Sequence, residues 1–294
     1  MKIAIIGAGR WGQALAFAFG QKNEVVIASR TPRALPNFVT IEEALECEYL
    51  IITIPAQQIA QWLKTYYVYK NHKILVAAKG IDAKDGRFLI DIYKKYVPQN
   101  SLAFLSGPSF AAEVSKGLPT ALVVNSYNKK LSKKFANAFP DFIKGYTSVD
   151  VVGAEVAGAY KNVIAIASGV CEGLGLGHNA AAALISRGLV EISRFGKHYG
   201  AKNKTFYGLS GAGDLFLTAS SSMSRNYRVG LELAHGKVIT EIVDELGEVA
   251  EGIGTAKALY SIAQKEDLYL PIAREVHEII NGKSPKQSMR DLLK

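Results

Sequence analysis

Gly7-Ala8-Gly9-Arg10-Trp11-Gly12 follows the apolar run Ile3–Ile6 directly and opens a helical pattern. A G-x-G-x-x-G run in that context suits a dinucleotide. Gly7 allows a tight turn, Gly9 lets a pyrophosphate approach the backbone, and Gly12 lets helix and strand pack closely. The free amides and the dipole at a helix start favour negative charge there. Chance glycines at a strand–helix turn are the plainer alternative. The end of the second strand, Ile27-Ala28-Ser29-Arg30, offers no acid for the ribose hydroxyls of NAD. Arg30 is placed instead to pair with a 2′-phosphate, with Arg33 in support, so NADP(H) is the favoured cofactor and NAD(H) the second choice. A surface arginine with no ligand is the other reading of Arg30. Trp11, inside the phosphate loop, is expected to lie against the cofactor.

A second group of polar residues sits in glycine-flanked or apolar contexts. Lys79 precedes Gly80 at the end of an apolar strand, so its ammonium should project at a carboxyl strand end. Ser106-Gly107-Pro108-Ser109 follows another strand and should start a helix, offering backbone amides and the Ser109 hydroxyl to an oxygen-rich ligand. Lys161-Asn162 lies within an apolar helical run, where a lysine must find a polar partner or a chemical task. Ser210-Gly211-Ala212-Gly213-Asp214 is a glycine-rich turn presenting an acid, and Ser224-Arg225-Asn226 sets an arginine between two hydrogen-bonding neighbours. Taken singly, Asp214 also reads as a helix cap and Arg225 as a surface charge.

The elements that must position these groups fall into two textures. Strands are predicted at Ile3–Ile6, Glu24–Ala28, Tyr49–Ile54, Lys73–Ala78, Ser101–Leu105 and Thr120–Val124, with helices such as Gly12–Gln21 and Ile59–Tyr67 between them. That alternation predicts an α/β Rossmann domain, doubly wound with a mainly parallel sheet, over residues 1–150. From Val151 small residues recur at helical spacing, and helices are predicted through Leu184–Tyr199, Arg228–His235, Gly254–Lys265 and Ile272–Asn281. Residues 151–294 are therefore expected to form an all-α domain. Asn128–Lys134 reads as a solvated helix start.

Composition narrows the partners. The 294 residues are 49% hydrophobic and 21% charged, an ordinary globular balance. Cys47 and Cys171 are the only cysteines, too few for a disulfide framework or a zinc cluster, so no metal is expected and a reducing, cytoplasmic setting is. No signal-peptide or membrane-spanning pattern is read, and no stable membrane insertion is expected. A formal charge of +9 points to an anionic partner. Nucleic acid is disfavoured, because no zinc-finger spacing, aromatic RNA-binding motif or concentrated basic arm appears.

Together Gly7–Gly12, Lys79-Gly80, Gly107-Pro108-Ser109-Phe110-Ala111, Lys161-Asn162, Ser210–Asp214 and Ser224-Arg225-Asn226 resemble, in order and over nearly the whole chain, the bacterial NAD(P)-dependent sn-glycerol-3-phosphate dehydrogenases. The resemblance implies a C-terminal domain like that of 6-phosphogluconate dehydrogenase. It also implies reversible reduction of dihydroxyacetone phosphate to sn-glycerol 3-phosphate, supplying glycerophospholipid synthesis. It makes Lys161 the proton donor and acceptor, and gives Lys79, Gly107, Ser109, Asp214, Ser224, Arg225 and Asn226, with Asn162 beside the catalytic lysine, to the phosphorylated substrate. The dinucleotide would touch Trp11, Arg30, Lys79, Ala111, Arg225, Val249 and Glu251, besides the Gly7–Gly12 loop with Arg10 and the nearby Arg33. The segment between Arg30 and Tyr49 is shorter than is usual in that family, which bears on the adenine side. A homodimer is an option for the assembly. Other NADP-dependent small hydroxy-acid dehydrogenases and a non-catalytic NADP-binding regulator are the alternatives. For Lys161 to exchange protons near neutral pH, burial and Lys79 would have to lower its pKa against the pull of Asp214.

Overall fold

In the computed structural model, which describes residues 1–247 and 250–294, the chain divides into two units. The first comprises Met1–Ala78 and Leu89–Ala154; the second comprises Lys79–Phe88 and Glu155–Lys294.

The first unit is built on a sheet whose described strands are β1 (Lys2–Ile6), β2 (Glu24–Ala28), β3 (Tyr49–Ile52), β4 (Lys73–Val76), β5 (Leu102–Ser106), β6 (Thr120–Asn125) and β7 (Ile143–Ser148), in spatial order β2-β1-β3-β4-β5-β6-β7. All neighbours are parallel except β5 and β6. The central strands are continuous apolar runs because helices cover both faces: every residue of β3 and of β5 is buried. Ile5 pairs in register with Ile27 on one side and Ile51 on the other. The chain leaves β1 toward β2 and returns across it to β3, so the strand order reverses at β1. Ligands of such sheets bind outside the carboxyl ends at that reversal, and the Gly7 loop is the carboxyl end of β1.

Helix α1 (Arg10–Gly20) buries Gly12, Ala14, Leu15, Ala18 and Phe19, a stripe at helical spacing that faces the sheet. Residues 31–48 hold only the short α2 (Ile41–Ala44), closed by a Thr40–Glu43 capping box, and a single parallel bridge from Phe38 to Ile27. Where a further strand beside β2 would extend the sheet, the chain makes one rung. The unit also holds α3 (Ala56–Tyr66), α4 (Leu89–Tyr93), α5 (Ala111–Val114) and α6 (Lys129–Asn137). Asn128 caps α6, whose lysines are exposed. Sequence reading omits β7: Ile-Lys-Gly-Tyr-Thr-Ser carries one large aliphatic residue, as suits an edge strand that shows Lys144 and Tyr146 to solvent.

The described helices that follow are α7 (Val151–Gly173), α8 (Gly177–His198), α9 (Asn203–Tyr207), α10 (Asp214–Ala219), α11 (Arg225–Ala234), α12 (Ile239–Leu246), α13 (Glu251–Glu266), α14 (Pro271–Ile280) and α15 (Pro285–Leu292). Helices α7 and α11 approach to backbone contact through glycines. A Cβ on Gly169 would stand 2.0 Å from the Tyr227 carbonyl oxygen, and one on Gly230 would stand 1.9 Å from that of Ile166. Buried Glu191 of α8 accepts the amides of Ile272 (3.0 Å) and Ala273 (2.9 Å) at the start of α14 and the Tyr160 hydroxyl (2.7 Å), so a helix start is capped from another helix. Among the described residues, no helix is long and apolar enough to cross a membrane, and no group of His, Cys, Asp and Glu could hold a metal ion.

Candidate functional site

In the first unit the glycine loop has the geometry a dinucleotide needs. Gly7 has φ +114°, open to glycine but not to ordinary side chains, and a Cβ there would meet the Thr53 hydroxyl oxygen at 2.4 Å. A Cβ on Gly12 would lie 1.8 Å from the Gly7 carbonyl oxygen, while Gly9 has nothing within 4 Å of its Cβ position and so leaves room for a ligand. Gly9 is also the N-cap of α1, and no side chain caps that end. A helix start left without a side-chain cap beside the open Gly9 position is the kind of cradle that suits a pyrophosphate. Thr53, at the end of β3, donates to the carbonyls of Ile6 (3.1 Å) and Gly7 (2.9 Å) and holds the turn. Trp11 donates from its indole nitrogen to the Ala77 carbonyl at 3.0 Å, which pins the ring from the side of β4. Arg10, Arg30 and Arg33 are exposed, and the Ser29 hydroxyl donates to the Thr31 carbonyl, shaping the turn that presents Arg30.

Gly107 lies at the end of β5 with φ +109° and is buried against Ala121 and Leu122 of β6. The Ser109 hydroxyl donates to the Gly107 carbonyl at 3.2 Å. The expected helix begins later and is shorter: α5 starts at Ala111 and runs four residues. The Phe110 backbone is still extended and forms the N-cap of α5.

In the second unit two lysines converge on one carboxylate. The turn Leu209–Gly213 is π-helical and leads into α10, placing Asp214 at that helix's first position, 1% exposed. Lys79 Nζ reaches Asp214 Oδ2 at 2.6 Å, and Lys161 Nζ, from α7, reaches Oδ1 at 2.7 Å. Lys161 also donates to Thr218 Oγ1 at 2.7 Å. Burial lowers the Lys161 ammonium most, Asp214 holds it up, Lys79 lowers it further and Glu251 raises it, leaving its pKa at about 8. Burial works to raise the Asp214 carboxyl, but the two ammonium groups outweigh it and hold the acid below its usual range. Such a lysine can give or take a proton near neutral pH, and the shared carboxylate fixes where its Nζ points.

The chain matches family models described as NAD-dependent glycerol-3-phosphate dehydrogenase N-terminus, over residues 28–132, and C-terminus, over residues 150–291. Glycerol-3-phosphate dehydrogenase [NAD(P)+] of Sulfurimonas denitrificans is 66% identical, with 99% of both chains covered, and that of Nitratiruptor is 61% identical, with 100% of this chain and 98% of the relative covered. The crystal structure of glycerol-3-phosphate dehydrogenase from Coxiella burnetii superposes with a TM-score of 0.91 at 32% identity, covering 100% of this chain and 98% of the other. This chain belongs to the NAD-dependent glycerol-3-phosphate dehydrogenase family.

The residues that sequence motifs attach to that family are distributed as follows. Lys79, Lys161 and Asp214 meet in one hydrogen-bonded cluster, with Asn162 buried next to Lys161 in the chain. Ser224 caps α11 by accepting the Tyr227 amide at 3.3 Å, and Arg225 is the exposed first residue of that helix. Asn226 accepts the Gly252 amide at 2.9 Å, so its carboxamide oxygen ties α11 to the start of α13, where Glu251 is half-buried. Ala111 opens α5, and Val249 lies outside the described residues. Two contributors escape motif reading. Thr218 carries a helical signal, since it follows Asp214 by four residues and shares its face of α10. Thr53 carries none beyond its place at a strand end.

Proposed function

We propose that this chain, as an NAD(P)-dependent glycerol-3-phosphate dehydrogenase, reversibly reduces dihydroxyacetone phosphate to sn-glycerol 3-phosphate with Lys161 as proton donor and, in reverse, proton acceptor. The observation that carries the proposal is the buried Lys161 Nζ, held 2.7 Å from both Asp214 and Thr218 with its pKa drawn down to about 8. The nicotinamide, when bound, supplies the hydride in reduction and takes it back in oxidation. As the ketone carbon gains hydride, the carbonyl π pair becomes charge on oxygen, and the Lys161 ammonium stabilises that charge and then donates a proton to it. The neutral amine left behind is reprotonated from solvent; in oxidation the same amine takes the hydroxyl proton. Lys79 and Asp214 orient Lys161 and set its proton affinity.

The first unit would hold the dinucleotide through Gly7, Gly9, Arg10, Trp11 and Gly12, with Ala111, Lys79, Arg225, Val249 and Glu251 completing its contacts. NADP(H) is the preferred form on this reading, because Arg30 and Arg33 are exposed and no acid ends β2. Arg225 would take the substrate phosphate, aided by Gly107, Ser109, Asn162, Ser224 and Asn226; the Asn226 oxygen is committed to Gly252, so it would be Nδ2 that donates to the ligand. The product would feed glycerophospholipid synthesis in the cytoplasm.

Purified protein should oxidise NADPH on addition of dihydroxyacetone phosphate and hardly at all with unphosphorylated dihydroxyacetone. Lys161→Ala should lower kcat by about 10²- to 10⁴-fold, the usual worth of a positioned acid, with NADPH binding retained. Near-normal turnover in that variant would show that Lys161 is not the acid, and NADPH binding without any ketone reduction in the parent would favour a non-catalytic regulator.

A further inference from the structure

Gly158 stands in the interior of α7, three residues before Lys161 and therefore on the same face. Alanine is the better helix former at such a position, so a glycine there calls for a local reason. Gly169 has one in the α11 backbone, which a Cβ would strike. At Gly158 the nearest atoms outside the helix that a Cβ would meet belong to one side chain: Lys79 Cγ at 3.3 Å, Cδ at 3.4 Å and Cβ at 3.5 Å. The aliphatic stem of Lys79 rests on the bare turn of α7, and its ammonium continues to Asp214.

The backbone that carries Lys79 is anchored independently. Ile81 and Phe88 bridge as an antiparallel pair, the Asp82 amide donates to the Arg87 carbonyl at 3.0 Å, and Arg87 pairs with Asp82 (3.1 Å) and Asp85 (2.7 Å). Phe88 packs edge-on against Tyr199 at 5.0 Å and near Phe195 at 6.4 Å, and Phe195 lies 5.5 Å from Tyr160, the neighbour of Lys161. With the hairpin fixed on these aromatics, a methyl at position 158 is accommodated by shifting the flexible stem of Lys79, and with it the ammonium.

We propose that Gly158 is a positioning residue: its missing side chain seats the Lys79 stem on α7 and so sets the Lys79 ammonium on Asp214 beside Lys161. The proposal rests on the catalytic reading of Lys161 and Lys79 given above. The groups facing Lys161 are Asp214 and Thr218 from α10, Lys79 from the hairpin segment and Glu251 from α13. Retracting Lys79 therefore removes a repelling cation, and the pH at which reduction falls off should rise.

The test compares Gly158→Ala, Lys79→Ala and the double variant in the full-length protein. Gly158→Ala should fold with an unchanged or higher Tm and bind NADPH normally, yet lose about tenfold in kcat, since sub-ångström misplacement of a catalytic group is costly. Its descending pH limb for reduction should move upward. In the Lys79→Ala background Cγ and Cδ are gone, so the same substitution should cost less than about twofold, a coupling expected of residues in contact. Parental turnover and an unshifted pH limb in Gly158→Ala would overturn the proposal, as would losses that multiply in the double variant or a fall in Tm with parallel loss of NADPH binding. Normal turnover in Lys79→Ala would overturn the proposal through the role it gives Lys79, whereas only normal turnover in Lys161→Ala would overturn the catalytic reading itself, which keeps the two failures apart.

Discussion

The glycine loop after β1 and the lysine–aspartate cluster of α7 and α10 recognise charge by different means. The loop has no buried charge: it offers amides and empty space, and the arginines near it are exposed. The cluster has little empty space: two ammonium groups and one carboxylate are packed with donor–acceptor distances of 2.6 and 2.7 Å, and Asp214 is 1% exposed. A shape-based site tolerates changes of pH and fails by collision. A buried-charge site fails when its charge balance or the placement of its charges is broken, because leaving one member of a buried pair unpartnered costs far more than the pair contributes.

That contrast can be broken by substitution on either side. Lys161→Ala is expected to have the largest effect on rate, about 10²- to 10⁴-fold in kcat, with nucleotide affinity kept. Asp214→Asn leaves two ammonium groups facing a neutral amide and should lower unfolding free energy by about 3–5 kcal/mol in denaturant titration, with turnover lost. Gly12→Ala drives a methyl into the Gly7 carbonyl and should cost about 1–3 kcal/mol of stability and weaken NADPH, while the pH dependence of residual turnover stays where it was. A shifted pH profile in Gly12→Ala, or an unshifted one in any active Asp214 variant, would erase the distinction between the two sites. Arg30→Asp should weaken NADPH by about tenfold more than NADH, the scale of one charge-assisted contact; equal losses would refute its 2′-phosphate role. Thr218→Val is the mildest. It removes an acceptor from the charged form of Lys161, so the amine should deprotonate more readily and the descending limb for reduction should move to lower pH, at about 1 kcal/mol in stability.

The same contrast explains which features are legible in the sequence. Strands β1 to β6 announce themselves because buried parallel strands are unbroken aliphatic runs, and the Gly7–Gly12 loop because its turn, close approach and packing each demand glycine at a fixed spacing. Lys161 stands out as a lysine in an apolar helix, and Asp214 as an acid in a glycine-rich turn. Their pairing has no local signal, since Asp214 lies 53 residues on and Lys79 is 135 residues from that same Asp214; only the resemblance of motifs brings the three together. β7 hides because its edge position leaves it polar, and the Ile81–Phe88 hairpin because it has neither helical nor strand periodicity. The resemblance of motifs supplied the assignment of roles where spacing alone left Asp214 readable as a cap.

The central claim is that a buried lysine with a pKa near 8 handles the proton. It is tested most directly by measuring kcat/KM against pH in both directions, parent against Lys161→Arg. The account predicts that reduction of dihydroxyacetone phosphate falls as pH rises through about 8, where Lys161 loses its proton, and that oxidation of sn-glycerol 3-phosphate rises through the same range. In Lys161→Arg, whose guanidinium does not deprotonate there, the residual rates should lose both limbs. Profiles that are flat through that range in the parent, or limbs that persist unchanged in Lys161→Arg, would contradict it.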